Sequence, residues 1–176
     1  EAVLDWLTGA PDGLRTALPV IFLAGAIALE SAFPLVSAVG RWRHIGTNLV
    51  MLLGIAVVST AVALVAFAAL QIDQWQFGLF KQFDTPLWVQ VVAGLIALDF
   101  TAQYLAHVLL HRLKWLWKLH IVHHSDRLVD ASTGTRLHPA DFLLREIFAW
   151  TTVALLGIPV AVYALYRIVT PLMTYL

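Results

Sequence analysis

Apolar residues fill four stretches of this chain, each close to the roughly 20 residues that cross a bilayer as a helix. They run from about Thr16 to Phe33, Asn48 to Leu70, Pro86 to Leu110 and Ile147 to Val169. Polar or proline positions interrupt the first and fourth at Glu30, Pro34 and Pro159. Between the second and third, Gln71–Thr85 is polar and aromatic. Its Trp75, Phe77, Phe80 and Phe83 predict an interfacial belt or a re-entrant hairpin. The pattern predicts an all-α polytopic membrane protein of about four segments, with residues 1–176 as one domain and no internal repeat.

The third stretch is not uniformly apolar. Asp99, Gln103, His107 and His111 recur every four residues. On a helix each such step turns by only about 40°. The four therefore form one polar stripe on an apolar rod. Such a stripe must face a bundle interior or a cavity, and its ionisable members are functional candidates.

Composition supports the membrane reading. The chain is 60% hydrophobic and 12% charged, with a mean hydropathy of +0.81. Soluble domains carry about 25% charged residues. Net charge is zero, with no basic block to suggest nucleic acid. The absence of cysteine removes thiolate nucleophiles, disulfides and cysteine-based metal sites. Arg41, Arg43 and His44 follow the first stretch. Arg112, Lys114, Lys118, Arg127, Arg136 and Arg145 follow the third. The intervening loop has Lys81 against Asp73 and Asp84. The positive-inside rule makes the first and third connections cytoplasmic and puts the N-terminus on the other side.

Six of the seven histidines lie between His107 and His138. Histidine is the commonest metal ligand. His107 and His111, at i and i+4, can bind one ion from one helix face. Taken alone, the pair is equally well read as interfacial side chains reaching water. A second group, His120-x-x-His123-His124, changes the weighing. His120 and His124 share a helix face, while His123 points about 100° away from His124. Neighbouring imidazoles facing different ways suit two metals better than one. His138 follows in Arg136-Leu137-His138-Pro139, as a ligand or a donor behind one. Imidazole-rich sites suit iron, zinc, copper or nickel. Carboxylate-bridged di-iron bundles use Glu-x-x-His pairs, which this chain lacks. It also lacks His-Glu-x-x-His, Gly-x-Ser-x-Gly and a phosphate loop.

Asp99 is a candidate acceptor behind an imidazole, or a structural hydrogen-bond partner on another helix. Arg136 is a candidate neighbour of the metals or of a lipid headgroup. Glu30 is expected to pair with Arg41 or Arg43. Trp115 and Trp117 are expected to anchor at the interface, and Ser125 and Asp126 to turn the chain after the histidine helix. His44 falls outside the cluster.

Asp99 … Tyr104 … His107-Val-Leu-Leu-His111 … Leu116-Trp117-Lys-Leu-His120-Ile-Val-His123-His124-Ser125 … Thr135-Arg136-Leu137-His138-Pro139 resembles the fatty acid hydroxylase superfamily, sterol desaturase type. Glu30 … Pro34 … Arg41 … Arg43 … Asn48 is similar to that family's approach to its second membrane segment. The resemblance covers roughly residues 28–145. It implies a membrane enzyme with a histidine-ligated centre of two irons. Such an enzyme uses dioxygen and an external electron donor to hydroxylate or desaturate a lipid. On matching positions, His107, His111, His120, His123, His124 and His138 would be the ligands. Val108 stands where the family often has Arg, and Asp141 where it often has Glu. The family's last His-x-x-His-His box follows another hairpin, whereas no histidine follows His138. The expectation is therefore an N-terminal portion, inactive by itself. Two other classes compete: a zinc-dependent membrane hydrolase on the same histidines, and a non-enzymatic haem- or metal-binding membrane protein. A second copy of the chain, as a homo-oligomer, is a further candidate partner.

Overall fold

A computed structural model describes residues 12–33, 40–70 and 77–175. Helix α1 spans Asp12–Ala32 and α2 spans Arg41–Leu70. A short α3 covers Leu79–Gln82. A continuous rod, α4, spans Leu87–Arg112. Helix α5 is Lys114–His124, a 3-10 turn is Ala131–Thr135, α6 is Pro139–Leu156 and α7 is Val160–Tyr175. Among the described residues there is no strand.

Two of these helices, over Arg41–Val62 and Leu87–Arg112, are long and apolar enough to cross a membrane. The 26 residues of α4 reach about 39 Å, beyond the roughly 30 Å of a hydrocarbon core. Val50, Leu53, Val57, Leu64 and Val65 stand exposed along α2. In water that surface would be an aggregation liability; against lipid tails it costs nothing.

Three expectations change. Arg41, Arg43 and His44 lie in the first turns of α2 and not in a loop before it. The fourth apolar stretch is two helices. Gly157, in the left-handed region at φ 69°, ends α6, and Pro159 cannot extend it. Phe80 is buried in the core and is not part of an interfacial belt, whereas Phe77 and Phe83 are exposed. Pro34 and Trp75 lie outside the described residues.

The contacts give the helices their directions. At one end Ala131 N–H donates to Glu30 Oε2, and the Thr135 hydroxyl donates to the Asn48 carbonyl. This end joins the tail of α1, the head of α2 and the 3-10 turn. Helix α6 leaves from it. At the far end Gly157 packs backbone to backbone on Gly78, where φ is 127°. A Cβ on Gly78 would overlap the Gly157 main chain, so two glycines are required at this crossing. Helix α7 then returns, and its Tyr166 and Val162 join Leu98, Ala102, Ala149 and Val153 in the core.

Midway along α4, Asp99–Leu105 is wound as a π-helix. The Thr101 hydroxyl supplies a cause. It donates to the Ala97 carbonyl at 2.8 Å and meets Thr152 Oγ1 on α6 at 2.7 Å. A side chain that takes a ladder carbonyl and is held across the helix interface loosens the local winding. Gln103 lies within this wide turn, and His107 lies just after it.

Candidate metal centre

Leu113, at φ −95° and ψ 115°, breaks the helix between α4 and α5. The chain doubles back over this one extended residue, and α5 packs against the end of α4. Each helix carries histidines at i and i+4, and the fold sets the two pairs face to face. His111 Nε2 lies 2.9 Å from His107 Nε2 and 3.2 Å from His124 Nε2. His124 Nε2 lies 3.2 Å from His120 Nε2. One ligand atom from each of the four falls within 4.8 Å of every other.

The three neighbouring spacings fit adjacent ligands of a single ion. Nitrogens bound at about 2.0–2.1 Å lie about 2.9 Å apart at a right angle and about 3.3 Å apart in a tetrahedron. The observed 2.9–3.2 Å falls in that range. The chemistry of the donors fits as well. His120 is fully buried, and its Nδ1 lies 2.6 Å from Asp141 Oδ2, which is also fully buried. A carboxylate there accepts a hydrogen bond from Nδ1–H and leaves the Nε2 lone pair facing the other three rings. Burial holds the His120 imidazole below its ordinary titration range, against the opposing pull of Asp141. The ring is therefore a neutral donor at neutral pH.

A built frame holds this arrangement. Asp141 Oδ1 accepts from Arg145 Nε at 2.9 Å, one helical turn on. Arg145 Nη1 donates to Gln103 Oε1 at 2.8 Å, and Gln103 Nε2 donates to Tyr166 Oη at 3.1 Å. One polar chain thus links α5, α6, α4 and α7. Trp117 packs its ring 5.2 Å from His111 and 5.5 Å from His124, so it covers the cluster; Trp115 is exposed.

The other candidate residues have different places. The His123 ring lies 5.6 Å from that of His120 and 5.3 Å from that of His124. Its Nδ1 is buried without a hydrogen-bond partner, and burial also depresses its titration. His138 caps α6: its Nδ1 accepts from Ala140 N–H at 3.1 Å. Asp99 is exposed, on the wall of a cleft with Phe100, Tyr104 and Tyr166. Arg136 braces the scaffold through the Val122 carbonyl, Asn48 Oδ1 and Ser125 Oγ. Glu30 pairs with Arg41 at 3.2 Å. Ser125 and Asp126 do turn the chain, through the Val122 carbonyl and the Leu128 N–H. His44 stays outside the imidazole cluster. It lies 3.4 Å from Asp126 and 3.6 Å from Asp130, and so ties α2 to the loop after α5.

Sequence reasoning passed over two residues as parts of the site, Asp141 and Arg145. Their signal was an acid and a base at i and i+4 just inside an apolar helix, three and seven residues after His138.

A fatty acid hydroxylase family model matches residues 91–176, which include all four clustered histidines and Asp141. Over these residues, just under half of its length, the chain is similar to the fatty acid hydroxylase family. A similar relative is the ornithine lipid hydroxylase OlsE of Rhizobium tropici, 37% identical over 92 residues. The match takes in 52% of this chain and 24% of the relative, so it spans about a quarter of the relative's length. No solved structure matches the chain.

Proposed function

We propose that this chain carries the iron-binding part of a multi-pass membrane enzyme that oxidises a lipid with dioxygen and electrons from an external donor. The observation that carries the reading is the preassembled group of His107, His111, His120 and His124, with Asp141 fixing one ring behind it. These four would hold one iron. His123, whose buried Nδ1 lacks a partner, and His138 are the donors left for the second iron of a two-iron centre. Bound iron supplies the one-electron and dioxygen chemistry that an unactivated C–H bond requires.

The protein's own residues do the rest. Asp141 keeps the His120 proton on Nδ1. Arg145 holds Asp141 and faces His107 Nδ1 from 3.5 Å, too long for a firm hydrogen bond. Trp117 shields the outer side of the cluster. On the inner side a cavity of about 390 Å³ reaches His107 and His123 between Leu52, Ile55, Ala102 and Phe142. A largely apolar space against the histidines suits an alkyl chain. The positive-inside pattern supports a cytoplasmic side for the cluster.

The test is metal content and iron spectroscopy on protein purified in mild detergent, with lipid oxidation followed under air and under argon. The proposal expects iron and oxygen-dependent product once a reductant is supplied. Stoichiometric zinc with oxygen-independent cleavage of an ester or amide would replace it with a hydrolase.

A further inference from the structure

The inner cavity has a neighbour. On the outer side of α4, a cleft of about 590 Å³ runs between this helix and α7. Ile96, Phe100, Tyr104 and Met173 stand exposed along it. Both helices are apolar, so this cleft opens where lipid tails lie. Asp99 also lies on its wall, midway along a membrane-length rod. An ionisable side chain at that depth marks a pathway more often than a packing site.

The cleft and the inner cavity share four wall residues: Gln103, Tyr166, Thr170 and Thr174. The partition between them is thus one side-chain layer thick. Across it runs the 3.1 Å hydrogen bond from Gln103 to Tyr166. Gln103 lies in the π-helical turn and is held from behind by Arg145. Wide turns of this kind recur at functional sites. Behind the partition stand His107 and His123.

We infer that the acyl chain of a bilayer lipid reaches the histidine cluster sideways, from the α4–α7 cleft into the inner cavity, through a gate made by Gln103 and Tyr166. The occupant follows from the walls: largely exposed and apolar on the lipid side, and parted by that single layer from a cavity of about a dozen water-sized volumes on the inner side. Gln103 and Tyr166 are then positioning residues that set which chains pass. The inference rests on the lipid-oxidation reading for its occupant, but its test needs neither metal nor turnover.

The full chain is reconstituted in phosphatidylcholine vesicles doped with a phospholipid bearing a diazirine at the end of one acyl chain. After illumination, adducts are mapped by peptide mass spectrometry. Adducts are expected on the cleft at Leu95 and Met173, and inside at Ala102, which lines the inner cavity and is 1% exposed. Thr170→Trp, which fills the shared wall, should lower the Ala102 adduct at least fivefold and leave the Leu95 adduct unchanged. Gln103→Ala should raise the Ala102 adduct about threefold. Leu53→Trp, on the exposed face of α2 and lining neither space, should leave it unchanged. No Ala102 adduct in the wild type, or an Ala102 adduct that Thr170→Trp leaves unchanged, overturns the route. If Thr170→Trp fails to fold, an unchanged Ala102 adduct in Gln103→Ala overturns the gate. Lipid labelling inside the cavity of a protein that binds no iron would keep the route and reject the oxidation reading.

Discussion

Replacing Asp141 with asparagine tests the centre where its design is most exposed. The wild-type carboxylate is fully buried and serves two donors, His120 Nδ1 at 2.6 Å and Arg145 Nε at 2.9 Å. An amide has one oxygen, so Asp141→Asn can satisfy only one of them. If the oxygen keeps His120, the amide NH2 faces Arg145, and a buried guanidinium loses its counter-charge. Breaking such a pair costs about 3–5 kcal/mol. If the oxygen keeps Arg145, the NH2 faces His120 Nδ1. That ring must then carry its proton on Nε2, the atom aimed at the metal. Loss of a partner behind a ligand costs about 10- to 100-fold in metal affinity, or about 1.4–2.8 kcal/mol at 1.4 per decade. Two assays separate the branches: metal titration against a competing chelator, and thermal melting of the metal-free protein in detergent. The double variant Asp141→Asn, Arg145→Gln removes the orphaned charge. It should recover most of the lost melting temperature and none of the lost affinity. Wild-type affinity in Asp141→Asn would show that the carboxylate does not set the His120 tautomer, and the assignment of Asp141 would fall.

Three further outcomes follow. Single His111→Ala and His124→Ala changes should each remove most bound metal while the apo protein melts normally; His44→Ala should keep the metal but lower apo stability by about 1 kcal/mol, since it removes the ring that Asp126 and Asp130 share. Equal metal loss in all three would point to general unfolding. Gly78→Ala should cost about 2–4 kcal/mol, because its φ of 127° is strained for alanine and its Cβ meets the Gly157 backbone; Gly157→Ala, at φ 69°, should cost about 1–2 kcal/mol in the same melt. Acidification gives a signed test: burial holds His120 and His123 below the ordinary imidazole range near 6.5, so below that pH the unfolded chain binds more protons than the folded one. Apo stability should therefore hold above about pH 6.5 and fall as pH drops beneath it; a flat or rising profile between pH 6.5 and 5 would contradict the burial of these rings.

The helical class and the two i, i+4 histidine pairs were legible because both are local. Periodicity reports a helix face, and each pair lies on one face. What brings the pairs together is the break at Leu113, and nothing in the residue type of a leucine announces it. The stripe Asp99, Gln103, His107, His111 was also sound as a pattern on an ideal helix. The π turn inside it depends on Thr101 meeting Thr152, which lies 51 residues away. Asp99 consequently lines the outer cleft, while Gln103 is bonded to Arg145 and Tyr166. The fourth apolar stretch carried its own warning in Gly157 and Pro159, but hydropathy alone averages across such a turn.

Asp141 was missed for a physical reason that also explains the architecture. Four ionisable side chains, Asp141, Arg145, Glu146 and Arg167, sit in a bundle that apolar residues alone would pack more cheaply. Buried ion pairs are poor stabilisers, and a hydrophobic replacement is often neutral or better. Their value here is directional. Arg145 and Glu146 are adjacent on α6, so they project about 100° apart. Arg145 reaches Asp141 and Gln103, while Glu146 takes Arg167 at 2.6 Å and the Tyr163 hydroxyl on α7. An apolar interface would let α6 rotate or slide against α4 and α7 at little cost. These bonds permit one rotation, and it is the one that puts the Asp141 carboxylate behind His120. In an aqueous protein the same residues would pass for ordinary surface charge, and a linear sequence gives no way to tell the two cases apart until the helices are packed.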